Sequence, residues 1–345
     1  MFINVTDYFI PGIVFYVFLG GRGVGKTYSA LDWARKDWQE NDKGFVLLRR
    51  TDEERKLGAL FNPFEQINAD KGSMIITSSL GSKVTGFYKG MITEEGVKAD
   101  GAPIGYLLAL STIAGVRGLG LNMDFVDKII YDEFIAEQHV RYLKGSEGEA
   151  ILNAYETINR NREMLGRDPA KMIFLANSNS LANPLFITLG IVREVERMLS
   201  QGKSGIIDKK RRLAIFFLDD AEFREEKQKT ALYDLAGKSD FTSMAINNEF
   251  SHDDFSNVRS FSIKGAHPVY QIGEKIHCWR SSDGHLLITY APGKFSYIYN
   301  PKNSADVMLG NQRHAMRAKK DYAHGLTYFE SFELKDAWLD FFGIK

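Results

Sequence analysis

Eight consecutive residues, Gly20-Gly21-Arg22-Gly23-Val24-Gly25-Lys26-Thr27, form a complete G-x-x-x-x-G-K-T sequence. Glycines at that spacing let backbone N–H groups converge on phosphate oxygens, and a following helix adds the partial positive charge of its N-terminus. Lys26 then neutralises β- and γ-phosphate oxygens, and the Thr27 hydroxyl ligates Mg²⁺. The implied cofactors are ATP and Mg²⁺, held by Gly20, Gly21, Arg22, Gly23, Val24, Gly25, Lys26, Thr27 and the adjoining Tyr28. Such a loop needs a second metal-organising carboxylate, and Ile129-Ile130-Tyr131-Asp132-Glu133 supplies one at the end of an apolar run. Asp132 is placed to reach the metal and Glu133 to orient and deprotonate an attacking water. That pair points to hydrolysis rather than to a kinase or a small switch GTPase.

Other groups carry two readings each. Asn177 ends the run Ile173 to Ala176, either as a sensor of the γ-phosphate and water, with Ser178, Asn179 and Ser180 as substitutes, or as a strand-to-loop cap. Arg160 and Arg162, in Asn159-Arg160-Asn161-Arg162-Glu163, offer a cation for the charge developing on the γ-phosphate of a neighbouring subunit. They read equally as a solvated helix end with one arginine paired to Glu163, and Arg22 is an alternative cation within its own chain. Arg117, in the glycine-rich stretch 111–120, either contacts phosphate or pairs structurally. For DNA, the local basic candidates are Lys209 to Arg212, Arg141 with Lys144, and Arg313, Arg317, Lys319 and Lys320. Each is also readable as a solvated charged face.

These residues need a scaffold, and the first half of the chain supplies strands alternating with helical stretches, the pattern of a parallel sheet covered by helices. Ile13 to Leu19, Phe45 to Leu48, Val126 to Tyr131 and Met172 to Ala176 are continuous apolar runs of the kind buried on both faces. Residues 26–39 carry Leu31, Trp33, Ala34 and Trp38 at helical spacing, and 149–165 reads as a second helix. Between Met74 and Leu110, with Gly86, Gly90, Gly96 and Gly101 as turn markers, the reading is a β-rich excursion of several short strands. The expected organisation is a P-loop domain over 1–200 and a connecting module over 201–251, with a strand at Leu213 to Leu218 and a helix-like stretch from Asp219 to Leu235. A smaller α+β domain over 252–345 follows, with a hairpin at 276–290 and a closing helix from Phe332 to Phe342.

Composition bounds the partners. The 345 residues are 44% hydrophobic and 26% charged, which excludes wholesale disorder. Lys plus Arg and Asp plus Glu number 44 each, so the chain has no global field to attract a polyanion, and any nucleic-acid grip must be local. The single cysteine, Cys278, reads as a small buried hydrophobe in a reducing compartment. The apolar run Phe9 to Leu19 is interrupted by Pro11 and Gly12 and falls short of the ~20 residues of a membrane helix. No signal-peptide pattern is read at the N-terminus, so no membrane partner is expected.

The four segments Gly20 to Thr27, Leu47-Leu48-Arg49-Arg50, Ile129 to Ile135, and Arg160 to Glu163 followed by Leu175 to Ser178 make the chain resemble the ring-forming DNA-packaging ATPases of phi29-like phages. The resemblance covers most of 10–190 and becomes vague beyond about 250. It implies an ASCE-type α/β P-loop NTPase domain, with a central mainly parallel sheet and an extra strand between the phosphate-loop strand and the Asp132 strand. It also implies a C-terminal domain resembling a degenerate RNase H-like nuclease. Asp283 in a turn and Glu274 at a strand start are poorly placed for two-metal cleavage, so no nuclease activity is expected. The activity implied is ATP hydrolysis driving double-stranded DNA into a preformed capsid, with Arg160 as the arginine finger given in trans. The implied partners are double-stranded DNA, other copies in a homo-oligomer ring, pentameric in the family, the capsid portal or connector, and a structural prohead RNA. The implied location is the cytoplasm of the infected bacterium, docked transiently on the prohead. The rival readings are a DNA pump of the HerA and FtsK kind or a helicase, and a nucleotide-dependent scaffold without turnover.

Overall fold

Continuous apolar runs become the middle of a nine-stranded sheet in the computed structural model, which describes residues 3–21, 23–116, 121–135, 143, 147–177, 183–218, 225–226, 229–236 and 257–344. Its strands are β1 (Phe15–Gly20), β2 (Gly44–Arg49), β3 (Ile75–Ser79), β4 (Thr85–Thr93), β5 (Gly96–Ala109), β6 (Val126–Asp132), β7 (Lys171–Asn177), β8 (Gly205–Asp208) and β9 (Leu213–Leu218). The order is β3-β4-β5-β2-β6-β7-β1-β9-β8. From β5 to β9 all neighbours are parallel, and the outer pairs β3·β4, β4·β5 and β8·β9 are antiparallel. Ile129, Ile130 and Tyr131 are fully buried, as a strand covered on both faces requires.

The strand β7 lies between β1 and β6, where the resemblance places the extra strand. Its register sets Gly20 against Asn177 and Asp132 against Leu175, so three polar chain segments leave the sheet at the same edge. At that edge of an open parallel sheet, beyond the carboxyl ends of the strands, ligands are bound.

Helices cover both faces. On one, α1 (Lys26–Asn41) buries Ala30, Leu31 and Ala34 against Phe18, Leu47 and Ile130. The helices α2 (Asp52–Leu60) and α3 (Glu65–Lys71) follow β2, and Phe64 and Ile67 extend the same core. On the opposite face, α4 (Glu147–Asn159) sets the Tyr155 ring 4.8 Å from Phe15. The Tyr155 hydroxyl donates to the Ala170 carbonyl, and burial pushes its pKa up to about 12.

Several expectations are corrected. The helix read over 149–165 stops at Asn159, because Arg160 takes a left-handed conformation (φ 48°) that ends it, and only Glu163–Leu165 turns again as a 3₁₀ segment. The β-rich excursion contains one long strand, β5, which pairs with β4 from Gly96 to Leu107 and whose second half also runs beside β2. The Leu213 to Leu218 strand, read as part of a connecting module, pairs with β1 inside the large sheet. Two compact units divide the chain: residues 1–135, 149–177 and 204–248 in one, and 136–148, 178–203 and 249–345 in the other.

The second unit holds a five-stranded sheet in the order β13-β10-β11-β12-β14, formed by β10 (His267–Ile272), β11 (Ile276–Arg280), β12 (Leu286–Thr289), β13 (Ile298–Tyr299) and β14 (Thr327–Phe329). The predicted hairpin is the antiparallel pair β11·β12. The helices Ser304–Ala323 and Phe332–Phe341 bring Tyr322 and Trp338 onto Cys278, Ile288 and Phe329. Cys278 is fully buried, and burial pushes its thiol far above the usual range.

Candidate nucleotide site

The phosphate loop closes on the N-terminus of α1. Gly25 is its N-cap at φ 90°, a backbone that favours glycine, and no side chain caps the first turn of this 16-residue helix. Gly20 has a different reason to be glycine: a Cβ there would lie 2.7 Å from the Leu218 carbonyl oxygen on β9. Val24 is buried, and its carbonyl accepts from Ile3 N–H at 3.1 Å, which pins the loop from below. Arg22 lies outside the described residues, as do Arg117, Arg141, Lys144 and Ser178 to Ser180.

Lys26 is only 7% exposed, and its Nζ donates to the carbonyls of Gly20 at 3.0 Å and Gly21 at 2.8 Å and to Asn177 Oδ1 at 3.3 Å. Thr27 Oγ1 donates to Asp132 Oδ1 at 3.0 Å, which joins the start of α1 to the end of β6. A hydroxyl and a buried carboxylate in contact beside a lysine, below an uncapped helix N-terminus, make a donor set that fits a hydrated magnesium ion and a polyphosphate. Thr27 and Asp132 are the residues that would hold the metal.

Glu133 follows Asp132 in a left-handed conformation (φ 56°), which is costly for a residue with a Cβ. Contacts with neighbouring residues hold it there. Its N–H donates to Asp132 Oδ1 at 3.1 Å, its carbonyl accepts from Arg50 Nη2 at 2.8 Å, and its Oε2 is 3.5 Å from Arg49 Nη1. Arg49 Nη1 also lies 3.1 Å from Asp132 Oδ2, so one guanidinium bridges both acids. The Glu133 side chain is 61% exposed, whereas that of Asp132 is 7% exposed, leaving the first acid open to solvent and the second committed to the interior.

Arg49 and Arg50, which the sequence reading quoted within the Leu47 to Arg50 segment but gave no role, are neighbours of the two acids. They end β2, and the β2·β6 register, with Leu48 opposite Tyr131, carries them to the two acids. A local signal was available: Thr51 to Glu54 is a complete capping box that starts α2 and fixes where Arg50 must stand. Arg50 N–H donates to Glu54 Oε2 at 2.9 Å, tying the same turn to the site.

The sequence model of the podovirus DNA encapsidation protein (Gp16) family matches residues 2–303. The chain belongs to that family. This encapsidation-family chain is 25% identical over 272 residues to a DNA packaging protein of Bacillus phage B103, covering 78% of this chain and 75% of the relative. It is likewise 25% identical over 264 residues to a DNA packaging protein of Bacillus phage phi29, covering 76% and 70%. In fold it is similar to a solved Phi-28 gp11 DNA packaging motor, with a TM-score of 0.56 at 18% identity, over 99% of this chain and 97% of that one.

Within this family member the remaining predicted residues separate. Asn177 joins the site through Lys26. Tyr28 is directed elsewhere: its hydroxyl donates to Asp70 Oδ2 at 2.9 Å and its ring packs on the core, because a helix rotates successive residues away from the phosphate end. The pairing of Arg160 or Arg162 with Glu163 is also corrected, since Glu163 Oε1 accepts from Arg212 at 2.8 Å. Arg162 instead donates to the backbone carbonyls of Asp168 at 2.9 Å, Asp124 at 3.2 Å and Val126 at 2.6 Å. Val126 begins the strand that Asp132 ends, so Arg162 sits about 20 Å from the acids at ~3.3 Å per strand residue. Arg160 is exposed at the same far edge, and its guanidinium has no ion pair or hydrogen bond among the described residues.

Proposed function

We propose that this chain is the ATP-hydrolysing subunit of a motor that drives double-stranded DNA into a preformed capsid. The observation that carries the reading is the Thr27–Asp132 contact, with Lys26 on one side and exposed Glu133 on the other. Lys26 exchanges its loop carbonyls for β- and γ-phosphate oxygens, and Asn177, already on Lys26, follows the γ-phosphate. Glu133 takes a proton from water as the water oxygen bonds to the γ-phosphorus and the bond to the β,γ-bridging oxygen breaks, releasing ADP and phosphate, while Asp132 stays committed to the metal side. Magnesium, when bound, neutralises charge on the phosphates.

The second cation comes from a neighbour. Arg160 stands at the wrong end of its own sheet to serve its own Asp132, and Arg162 is consumed by three carbonyls, which leaves Arg160 as the finger a second copy would offer. Shared sites imply a homo-oligomer ring, and the family suggests a pentamer docked on a capsid portal, with a prohead RNA as a further partner. The C-terminal unit reads as a degenerate nuclease fold used for contacts: Asp321 pairs with Arg280, Asp283 with His285, and Glu330 accepts from Tyr290 N–H, so these acids face separate partners. Among the described residues no helix is long and apolar enough to cross a membrane.

Mixing two inactive variants tests the shared site. Arg160→Ala and Lys26→Ala should each lose hydrolysis alone and recover part of it together, because a mixed ring contains interfaces with an intact loop and an intact finger. Wild-type turnover by Arg160→Ala alone would remove the trans finger, and absence of DNA-stimulated hydrolysis in the wild type would favour a scaffold.

A further inference from the structure

A second polar recess lies in the first unit, away from the phosphate loop. It has a volume of about 350 Å³ and is lined by Arg55, Lys56 and Ala59 of α2 and by Thr77, Ser78, Ser79, Gly81, Ser82 and Thr85 of the β3–β4 hairpin. Five of these nine residues carry hydroxyls, two are cations, and none is acidic or aromatic. Arg55 is 4% exposed and is fixed by Thr85 Oγ1 at 2.8 Å, the Ser82 carbonyl at 2.9 Å and Asp52 Oδ1 at 2.7 Å. Lys56 is 64% exposed at its side chain and shares the same Asp52 at 2.8 Å. One carboxylate therefore balances two cations. Lys83, next to Ser82 in the turn but not itself part of the lining, is exposed beside Gly115 and has no ion pair among the described residues. The hydroxyls of Ser78 and Ser82 have no partner among the described residues either.

Resting on the packaging reading, we propose that this recess is where the chain grips duplex DNA, with Lys56 and Lys83 set against backbone phosphates and the hairpin hydroxyls donating to their oxygens. Lysine, serine and threonine are among the side chains that contact DNA phosphates, and such contacts carry no base information, which suits a protein that must move along any sequence. A site for unpaired bases would present aromatic rings for stacking, and this lining has none. The recess also rides on the helix whose entry holds the catalytic edge: Arg50, two residues before α2, carries the Glu133 carbonyl. None of the basic runs singled out by sequence contains these residues, because α2 and the hairpin meet only in the fold. In one of those runs, Lys209 to Arg212, two of the four cations are already paired, Arg211 with Asp208 and Arg212 with Glu163.

The test is binding of a short fluorescent DNA duplex to the full chain, with a non-hydrolysed ATP analogue, across a salt series. Lys56→Ala and Lys83→Ala should each weaken binding about tenfold near ~0.1 M salt and lower the slope of log affinity against log salt by about one. Ser78→Ala with Ser82→Ala should weaken binding without changing the slope. DNA-free hydrolysis and the melting temperature should stay at wild-type values, and Lys98→Ala, on an exposed hairpin outside the recess, should bind as wild type. Wild-type affinity and slope in the Lys56→Ala, Lys83→Ala double variant would overturn the proposal, as would equal weakening by Lys98→Ala or tighter binding of duplex RNA. In those cases the packaging reading survives, whereas a wild type that binds no duplex in any nucleotide state takes both down.

Discussion

The two ends of β6 hold the same kinds of side chain and use them differently. At its carboxyl end, Asp132, Glu133, Arg49, Arg50 and Thr27 are joined by ion pairs and hydrogen bonds, and one of the acids remains open to water. At its amino end, Arg162 is spent on three carbonyls and Lys128 is buried between Asp37 at 2.6 Å and Asp127 at 2.5 Å. In the proposed reading, one end carries the groups for turnover and the other is scaffold, with Arg160 as the exception. Charge alone therefore does not mark a candidate site in this fold; in the proposed motor, a role in turnover falls only to ionic groups whose partners leave them a face toward solvent or toward another copy.

The sharpest way to break this contrast is at its exception. Arg160→Ala should lower hydrolysis by about 10³-fold or more while leaving the melting temperature unchanged, whereas a purely structural arginine would shift stability first. At the other end of the strand, Glu133→Gln should lower hydrolysis by about 10²-fold or more yet retain nucleotide binding, as measured by titration calorimetry. Arg162→Ala should do the opposite of Arg160→Ala: a loss of about 2 kcal/mol in denaturant-measured stability, with turnover per folded molecule preserved.

The smallest effect concerns pH. Burial alone would raise the pKa of Asp37, but hydrogen bonds from Lys128 and Asn41 outweigh it and hold the carboxyl below its ordinary 3.8. A depressed folded-state pKa gives stabilisation that is complete above the unfolded value and is lost as pH falls through the folded one. Asp37→Asn should therefore cost about 1 kcal/mol at neutral pH and progressively less below about pH 4, measured as the gap between wild-type and variant denaturant midpoints. A gap that persists undiminished in acid would assign the loss to packing.

Much of the scaffold was legible because strands covered on both faces must be apolar throughout, as at Phe45 to Leu48 and Ile129 to Tyr131. Helices with thin or charged buried faces were not. The helix Ser304–Ala323 buries small residues such as Gly310 and Ala318 and exposes Met308 and Met316, which erases the apolar stripe. In α2 the one fully buried side chain is Arg55. The site divides in the same way: a contiguous loop and an acidic pair can be read from spacing, whereas Arg49 reaches them only through strand register, which no local pattern encodes. Tyr28 shows the converse, since adjacency to the loop in sequence does not keep it at the loop in space.

The most direct test of the account is a structure with magnesium and a slowly hydrolysed ATP analogue. The account predicts that Lys26 Nζ leaves the Gly20 and Gly21 carbonyls for phosphate oxygens, that Thr27 and Asp132 part to admit the metal, and that Glu133 faces the γ-phosphate. Nucleotide density elsewhere, with Lys26 still on its own loop, would contradict it.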